Sequence, residues 1–486
     1  MNNRKSLLIF MALVFGLVVA EGQPAERTVP RSREPTDESR SPKSPCHAFV
    51  DYGQFDPKRV DAFLGLYFQN TTGHWFSWFS PLDKRAQELD KRILSAALSP
   101  AEKIQVFKRL APRAEDSRFR AQTDERKELR MERLLLSVEP KDLPLFKFAL
   151  EHDGDYKDLE EYVFHDIDKK EYRDRIIRHF RKTAEQVGII GIKVLSDVDD
   201  TMYANLVDTR YPKGTFYPGV LEFYDSLKHE PFELRAIPLT TLSARPNPIA
   251  GKLEEASLNR LVELTKGRLC PSALSGALVS STAGTVETVL RSREELDLLS
   301  DEIPHDQEEK IGEVKFKNFS SFSELYPEYR YVFVGDSGQA DALTAQRMLT
   351  KASKGTTRVV ATFIHNLTKA SPSFKKLPSD ILVSKSSATG RGVIVFRNYI
   401  DAAIVAHMHS VTLENLVTAR ELARITRASL EQFKKINFRG NEASELRKQY
   451  RQDAEEAYRL LTKGPRKPSP LEEDLKKIRR MLDEGL

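Results

Sequence analysis

The chain of 486 residues carries 76 Lys and Arg against 71 Asp and Glu, a formal net charge of +5, and 40% of it is hydrophobic. This length suits two or three domains, and the composition excludes collagen-like, wholly disordered and multi-spanning membrane proteins. So small an excess of positive charge predicts no nucleic-acid partner, and only two cysteines exclude a disulfide-rich scaffold or a Cys-rich zinc site.

Residues 1–20 have the pattern of a secretory signal peptide. Arg4 and Lys5 precede an apolar run that ends at Val19, and a cleavage point follows Ala20. The run is shorter than the roughly 20 residues that cross a bilayer. We therefore expect a protein that is secreted or lies in the lumen of the secretory pathway, where Cys46 and Cys270 either form one bridge or stay as two thiols.

Residues 21–45 are predicted to be a disordered linker, because they are rich in Pro, Ser and charged residues and almost lack large apolar ones. Residues 46–185 are predicted to be a mostly helical accessory region. A capping box with proline at the first helical position, Ser99-Pro100-Ala101-Glu102, opens one of its helices. No group of residues in this region suggests chemistry.

The sequence changes character at Ile189, where the first of five short, β-branched apolar runs begins. Helical patterns separate several of these runs, which predicts parallel βαβ units and an α/β fold. The runs are Ile189–Leu195, Leu234–Leu242, Tyr331–Val334, Val359–Ile364 and Val393–Phe396.

Residues 406–486 are predicted to form C-terminal helices. One helical face is marked by apolar residues at i, i+4, i+8, i+11 and i+15, namely Leu446, Tyr450, Ala454, Ala457 and Leu461. A second capping box begins the last helix at Ser469.

Acidic residues follow the first predicted strand directly, in Ser196-Asp197-Val198-Asp199-Asp200-Thr201. The carboxyl ends of parallel strands are where open α/β sheets place ligands. Carboxylates so close together repel one another, and Mg²⁺, which prefers carboxylate oxygens, is the simplest ion to offset them. An EF-hand is excluded because its sixth and twelfth positions are Met202 and Asp208 rather than Gly and Glu. A solvated acidic turn remains the alternative.

Polar residues also follow two other predicted strands. Ser243 and Arg245 come after the second, where a hydroxyl and a guanidinium can bind phosphoryl oxygens. The segment Gly335–Asp341 follows the third and contains Asp336 and Asp341. Its Gly-Asp-Ser-Gly is typical of serine proteases, but His407 comes after the serine rather than before it, which excludes that family.

Lys315 and Lys317 precede a probable helix. Phe319, Phe322 and Tyr326 recur 4, 7 and 11 residues after Lys315, which places Lys315 on the apolar face at the helix start. This spacing alone favours Lys315 over Lys317.

The four clusters together resemble the haloacid-dehalogenase superfamily of phosphotransferases. The longer segments that contain these clusters are similar in sequence to the actin-patch-associated phosphatidate phosphatases, which are relatives of the lipins. This likeness covers about residues 186–405 and is carried by Leu195–Thr201, Tyr217–Val220, Leu242–Pro246, Gly335–Asp341 and Phe396–Ala403.

The resemblance implies a Rossmann-like haloacid-dehalogenase core that dephosphorylates phosphatidate to diacylglycerol with Mg²⁺. It makes Asp197 the nucleophile that forms an aspartyl-phosphate and Asp199 the general acid and base. Lys315 would neutralise the phospho-aspartate, and Thr201, Ser243 and Arg245 would bind substrate. It assigns the metal to Asp197, Asp199 (through its carbonyl) and Asp336, with Asp341 as a further candidate.

The resemblance also implies transient contact with a phospholipid membrane surface, although residues 247–313 show no lipid-specific feature. Three alternatives stay open. The chain could be a phosphatase for soluble phosphoesters, a catalytically silent module that binds lipid phosphate, or a helical scaffold. The intact Asp197, Asp199, Lys315 and Asp336 argue against the silent module.

Overall fold

The computed structural model describes most of the chain from residue 98 onward. Its ranges are 98–110, 125–152, 158–227, 236–242, 258–274, 305–353, 358–368, 370–383, 392–409, 415–438, 442–463 and 469–485, with Lys58, Val60, Leu234, Gly355 and Leu413 as single residues. The predicted signal peptide and linker, Cys46, Ser243 and Arg245 lie outside the described residues.

The described residues contain one sheet of seven strands, all parallel, in the order β3-β2-β1-β4-β5-β7-β6. This arrangement confirms the predicted α/β fold with a parallel, Rossmann-like sheet. The strands are β1 (Gly191–Ser196), β2 (Ile237–Leu242), β3 (Leu269–Leu274), β4 (Tyr329–Asp336), β5 (Val359–His365), β6 (Leu382–Val383) and β7 (Val393–Phe396).

Five of these strands coincide with the five predicted apolar runs, and two were not predicted. The unpredicted β3 lies at one edge of the sheet and contains Pro271, a residue that edge strands tolerate because one side of the strand needs no donor. The unpredicted β6 lies at the other edge and has two residues. Edge strands are harder to predict because their sequences need not be continuously apolar.

The named α-helices precede, join and follow the strands. They are α1 (Pro100–Leu110), α2 (Glu125–Leu136), α3 (Leu143–Glu151), α4 (Lys170–Val187), α5 (Val220–Leu227), α6 (His305–Leu325), α7 (Asp341–Ser353), α8 (Pro372–Lys375), α9 (Tyr399–Met408), α10 (Ala419–Phe433), α11 (Glu442–Thr462) and α12 (Ser469–Glu484). A six-residue π-helix (Glu161–Asp166) precedes α4, and residues 258–264 are helical. Among the described helices, none has both the length and the apolar character that a membrane span requires.

The sheet is the middle of three layers, because alternate strand residues point to opposite faces. In β4, Val332 and Val334 belong to one core, which α5 and the C-terminal helices α9–α12 complete. Tyr331 and Phe333 belong to the second core, which contains residues of α1–α4 together with α6 and α7. Both helical flanks are therefore packed on the sheet.

Two of the helix predictions are confirmed in the described residues, and one is wrong. Ser99 and Glu102 form the expected capping box at α1, with the Glu102 carboxylate 2.8 Å from the Ser99 amide nitrogen. The predicted face of α11, from Leu446 to Leu461, is buried. The prediction that Lys315 begins a helix is wrong, because α6 starts at His305. Its first residues are mostly charged and show no apolar spacing.

Candidate active site

The predicted acidic residues meet at the carboxyl edge of the sheet. Asp197 comes directly after β1, and Asp336 is the last residue of the neighbouring strand β4. The Asp197 amide donates to the Val334 carbonyl at 2.9 Å, which continues the strand pairing into the site. Asp341 begins α7, and its side chain is fully buried beside them.

Lys315 connects two of these carboxylates. Its Nζ lies 2.8 Å from Asp197 Oδ1 and 2.6 Å from Asp341 Oδ1. The second oxygen of Asp341 accepts the backbone N–H of Asp336 at 3.1 Å. Asp341 thus fixes the lysine with one oxygen and the end of β4 with the other.

The electrostatics of the cluster are those of several carboxyl groups sharing one cation. Burial raises the pKa of Asp197 to about 7; Lys315 opposes this shift, and the charges of Asp341 and Asp199 add to it. Burial, followed by the charges of Asp341 and Asp197, raises the pKa of Asp336 well above its usual range. For Lys315, burial favours the neutral form, but its two carboxylate partners outweigh burial and raise its pKa.

Four buried polar atoms in the strand ends and loops at this edge have no hydrogen-bond partner, namely Asp197 Oδ2, Asp336 Oδ2, the Thr201 hydroxyl and Gln339 Nε2. Buried polar atoms in native proteins are nearly always satisfied, so the unpartnered oxygens of the neighbouring Asp197 and Asp336 point to a missing ion, water or ligand. Carboxylate oxygens of Asp197, Asp336 and Asp341 also lie within 4.8 Å of one another. This group could hold a metal ion, and all-oxygen ligands suit a hard cation.

Gly335 makes the close approach of Asp341 possible. A Cβ at this position would lie 2.6 Å from both the Cβ and Oδ2 of Asp341, a distance that real side chains do not adopt. The glycine of the Gly-Asp-Ser-Gly sequence is thus required by packing at the site.

The loop after β1 is organised by Asp200, which has the left-handed φ of 56°. Its carboxylate accepts the backbone N–H groups of residues 205–208, at 2.7–3.2 Å. The side chain of Asn205 in turn donates to Asp199 Oδ1 at 2.8 Å. Asp200 therefore orders the loop, while Asp199 stays half-buried beside the cluster.

The structure brings together five of the eight predicted site residues, namely Asp197, Asp199, Lys315, Asp336 and Asp341, and Thr201 is buried in the same loop, four residues after Asp197. Ser243 and Arg245 lie outside the described residues, although β2, which ends at Leu242, pairs with β1. Lys317 is exposed on α6, whereas Lys315 is buried in the cluster.

The serine of the Gly-Asp-Ser-Gly sequence takes no part in a nucleophilic pair. The Ser337 hydroxyl is buried and accepts the Leu367 amide at 2.8 Å. His407 Nδ1 lies 3.0 Å from the Val417 carbonyl. Both side chains have other partners, which agrees with the exclusion of a serine protease.

Sequence reasoning missed several residues that shape the site. Asp200 is only a third negative charge in the sequence, because a short acidic run does not indicate which carboxylate will accept the backbone amides of a loop. Asn205 carries no local signal. Tyr399 lies in a segment that carries the resemblance, but no role could be assigned to it from the sequence, because its hydroxyl reaches the motif only in the folded chain.

Comparisons of the chain with protein-family models, with curated proteins and with solved structures find no match. The function is therefore inferred from the site chemistry and the motif resemblance.

Proposed function

We propose that the chain is a Mg²⁺-dependent phosphoric monoester hydrolase of the haloacid-dehalogenase type. One observation carries the proposal: Asp197 is paired with the buried Lys315 through Oδ1, while its Oδ2 is buried without a partner next to Asp336. A structural ion pair would be expected to satisfy both carboxylate oxygens. A nucleophile keeps one oxygen available.

In the first step, an oxygen of Asp197 attacks phosphorus, and the bond between phosphorus and the leaving oxygen breaks. Asp199 gives its proton to that oxygen, so the product leaves as an alcohol. The covalent step divides one difficult displacement into two easier ones. Lys315, already 2.8 Å from Asp197 Oδ1, offsets the negative charge that the aspartyl-phosphate brings into the site.

In the second step, Asp199 takes a proton from water, which attacks phosphorus and releases inorganic phosphate. Asp197 is regenerated as a carboxylate, and the protons balance over the cycle. General acid–base catalysis of this kind contributes roughly 10²–10⁴-fold. The contact with Asn205 supports these roles because it holds the Asp199 carboxyl beside the cluster.

Mg²⁺ would be held by Asp197 and Asp336, with the Asp199 carbonyl added on the resemblance, and it would supply charge neutralisation for the phosphoryl oxygens. The unpartnered Oδ2 atoms of Asp197 and Asp336 fit this role. Both oxygens of Asp341 already accept hydrogen bonds. We therefore assign Asp341 to holding Lys315 and Asp336 in place rather than to the metal itself.

Substrate binding is assigned to Thr201, Ser243 and Arg245. The Thr201 hydroxyl is buried and unpartnered, as a group waiting for a phosphoryl oxygen would be. The roles of Ser243 and Arg245 rest on the motif resemblance alone.

Phosphatidate at a membrane surface is the proposed substrate, because the motif sequences resemble those of the phosphatidate phosphatase family. The proposed compartment is the secretory lumen or the exterior. In support, Cys270 is disulfide-bonded. Disulfides persist in such oxidising compartments.

The test is phosphate release from vesicles that contain phosphatidate, with Mg²⁺ or with excess chelator. Wild type is compared with Asp197→Asn and with the control Asp225→Asn, whose carboxylate pairs with Arg424 on another helix. We expect Mg²⁺-dependent release by wild type and the control and none by Asp197→Asn, with all three folded by circular dichroism.

Two other outcomes change the proposal. Activity on a soluble aryl phosphate without release from vesicles would keep the chemistry and replace the lipid with a soluble phosphoester. If wild type were silent on both substrates, the hydrolase would be rejected in favour of the lipid-phosphate binding module.

A further inference from the structure

Two buried side chains from distant parts of the chain contact the loop that carries the predicted acid and substrate-binding residues. His365, at the end of β5, has Nδ1 3.0 Å from the Asp200 carbonyl. Tyr399, the first residue of α9, donates its hydroxyl to the Thr201 carbonyl at 2.6 Å. The two contacts reach consecutive carbonyls just after Asp199.

This loop needs support because its backbone is not in a relaxed conformation. Asp200 has φ 56°, a left-handed value that costs a non-glycine residue roughly 1–2 kcal/mol. Its carboxylate fixes the loop on the downstream side by accepting the four amides of residues 205–208. The carbonyl side is held by His365 and Tyr399.

The two supporting side chains are themselves fixed by the C-terminal helices. Asn398 caps α9 by accepting the amides of Ile400 and Asp401. Its amide nitrogen donates to Asp453 of α11 at 2.7 Å, and Arg397 binds the same carboxylate. The Arg397 carbonyl lies 3.3 Å from Nε2 of His365; a neutral imidazole has one N–H and donates either to this carbonyl or to that of Asp200.

A continuous set of buried contacts therefore runs from α11 to the acidic loop. Asp453 is fully buried, and both of its carboxylate oxygens are used on Arg397 and Asn398. These two residues come directly before Tyr399. A shift of α11 would be passed to the ring that holds Thr201.

We propose that Tyr399 is a positioning residue that holds the loop carrying Asp199 and Thr201 for the reaction. Through Tyr399, the C-terminal helices become part of the catalytic unit. The assignment rests on the proposed function. Asp199 must lie within hydrogen-bond reach of the leaving oxygen to protonate it. Asp199 is followed directly by Asp200, whose carbonyl contacts His365, and then by Thr201, whose carbonyl accepts the Tyr399 hydroxyl. Misplacement by about 1 Å can reduce a rate by 10²-fold.

The test compares Tyr399→Phe with Tyr331→Phe. Both tyrosines are buried, and each hydroxyl donates to a backbone carbonyl at 2.6 Å, Tyr331 to that of Tyr326. Tyr331 lies in β4 five residues before Asp336, about 17 Å along the strand. The pair therefore matches the loss of one buried bond to a carbonyl; it differs in its distance from the site and in the additional bond of the Tyr399 hydroxyl with that of Tyr224.

The readout is kcat/KM on an alkyl phosphate and on 4-nitrophenyl phosphate, with Mg²⁺ and the full chain. The alkyl oxygen needs a proton from Asp199 to leave, whereas nitrophenolate leaves without one. For Tyr399→Phe we expect a fall of 10-fold or more on the alkyl phosphate, a much smaller fall on the aryl phosphate, and little change in KM. Tyr331→Phe should stay within about 2-fold on both.

An equal loss on both substrates would show that Tyr399 does not act through Asp199 and would overturn the assignment, as would a Tyr399→Phe variant that behaves like Tyr331→Phe. Both results require an active wild type, so they leave the proposed hydrolase intact. A wild type without activity on either phosphate overturns the proposed function and this assignment together.

Discussion

Replacing Gly335 with alanine is the sharpest structural test of the site. The added Cβ would lie 2.6 Å from the Cβ and Oδ2 of Asp341, whereas carbon atoms pack at about 3.5–4.0 Å. Asp341 would have to move by about 1 Å. Its bonds to Lys315 at 2.6 Å and to the Asp336 amide at 3.1 Å would then exceed hydrogen-bond length.

The expected cost follows from those two losses. Each hydrogen bond to a charged group contributes about 1.5–3 kcal/mol, so the loss of two in Gly335→Ala should lower the free energy of unfolding by about 3–6 kcal/mol. At about 2–4 °C per kcal/mol for a large domain, that corresponds to a fall in Tm of roughly 6–24 °C. Turnover should fall by at least 10²-fold, because Lys315 loses a partner that orients it toward Asp197.

The assay is a thermal melt beside phosphate release, with Gly312→Ala as the control. Gly312 is on α6, the same helix as Lys315, and an added Cβ would lie 3.0 Å from Cδ2, 3.3 Å from Cγ and 3.4 Å from Cβ of Leu343, contacts that a shift of a few tenths of an ångström relieves. Alanine also favours helix by about 1 kcal/mol, so this variant should stay within about 1 kcal/mol of wild type. If Gly335→Ala melted and turned over like Gly312→Ala, Asp341 would not hold the site as argued.

Three further predictions concern other buried charges. Lys315→Ala should abolish turnover and Lys317→Ala should leave it within about 2-fold, because only Lys315 contacts the acidic cluster; equal effects in the phosphate assay would contradict the assignment. Burial lowers the pKa of His365 to about 4 from 6.5. Between pH 6.5 and 4, His365 therefore binds a proton in the unfolded chain but not in the folded chain. Stability should therefore fall by about 3 kcal/mol between pH 6.5 and 4, and His365→Gln should lose this part of the slope in denaturant titrations, the comparison cancelling other groups. Lys147→Met should lower the free energy of unfolding by about 3–5 kcal/mol, because it leaves Glu328 as an unpaired buried charge. Adding Glu328→Gln should restore part of that stability, and a double variant no more stable than Lys147→Met would refute the pairing.

The parallel sheet could be predicted because its central strands are buried on both faces. Such strands are short, continuous apolar runs that recur between helical patterns, and the run Val393–Phe396 has the same bounds in the structure. Edge strands escape this rule. β3 contains Cys270, Pro271 and Ser272, a composition that predicts a turn as readily as a strand.

The acidic residues could be predicted as one site because the chain order alone puts the ends of parallel strands at one edge. The contact of Lys315 with Asp341 could not be predicted, because the two residues are 26 positions apart and meet only after α6 and α7 have packed. The same limit applies to Tyr399, which is 198 residues from the carbonyl that it holds. Local sequence identifies the reacting groups, whereas the groups that orient them come from tertiary contacts.

The N-terminal helices are also joined to the sheet by buried polar contacts, and not by apolar packing alone. Lys147 of α3 pairs at 2.5 Å with Glu328, the residue before β4, and donates to the carbonyl of Leu325, the last residue of α6. Glu151 of the same helix accepts the hydroxyls of Ser272 in β3 and Tyr326.

Such contacts contribute little net stability, but their loss is costly, because each charge would then be buried without its partner. They therefore favour one docking of α3 against the sheet over its alternatives. The contacts of Asp453 with Arg397 and Asn398 act in the same way on the other face of the sheet, where they fix α11 against the start of α9.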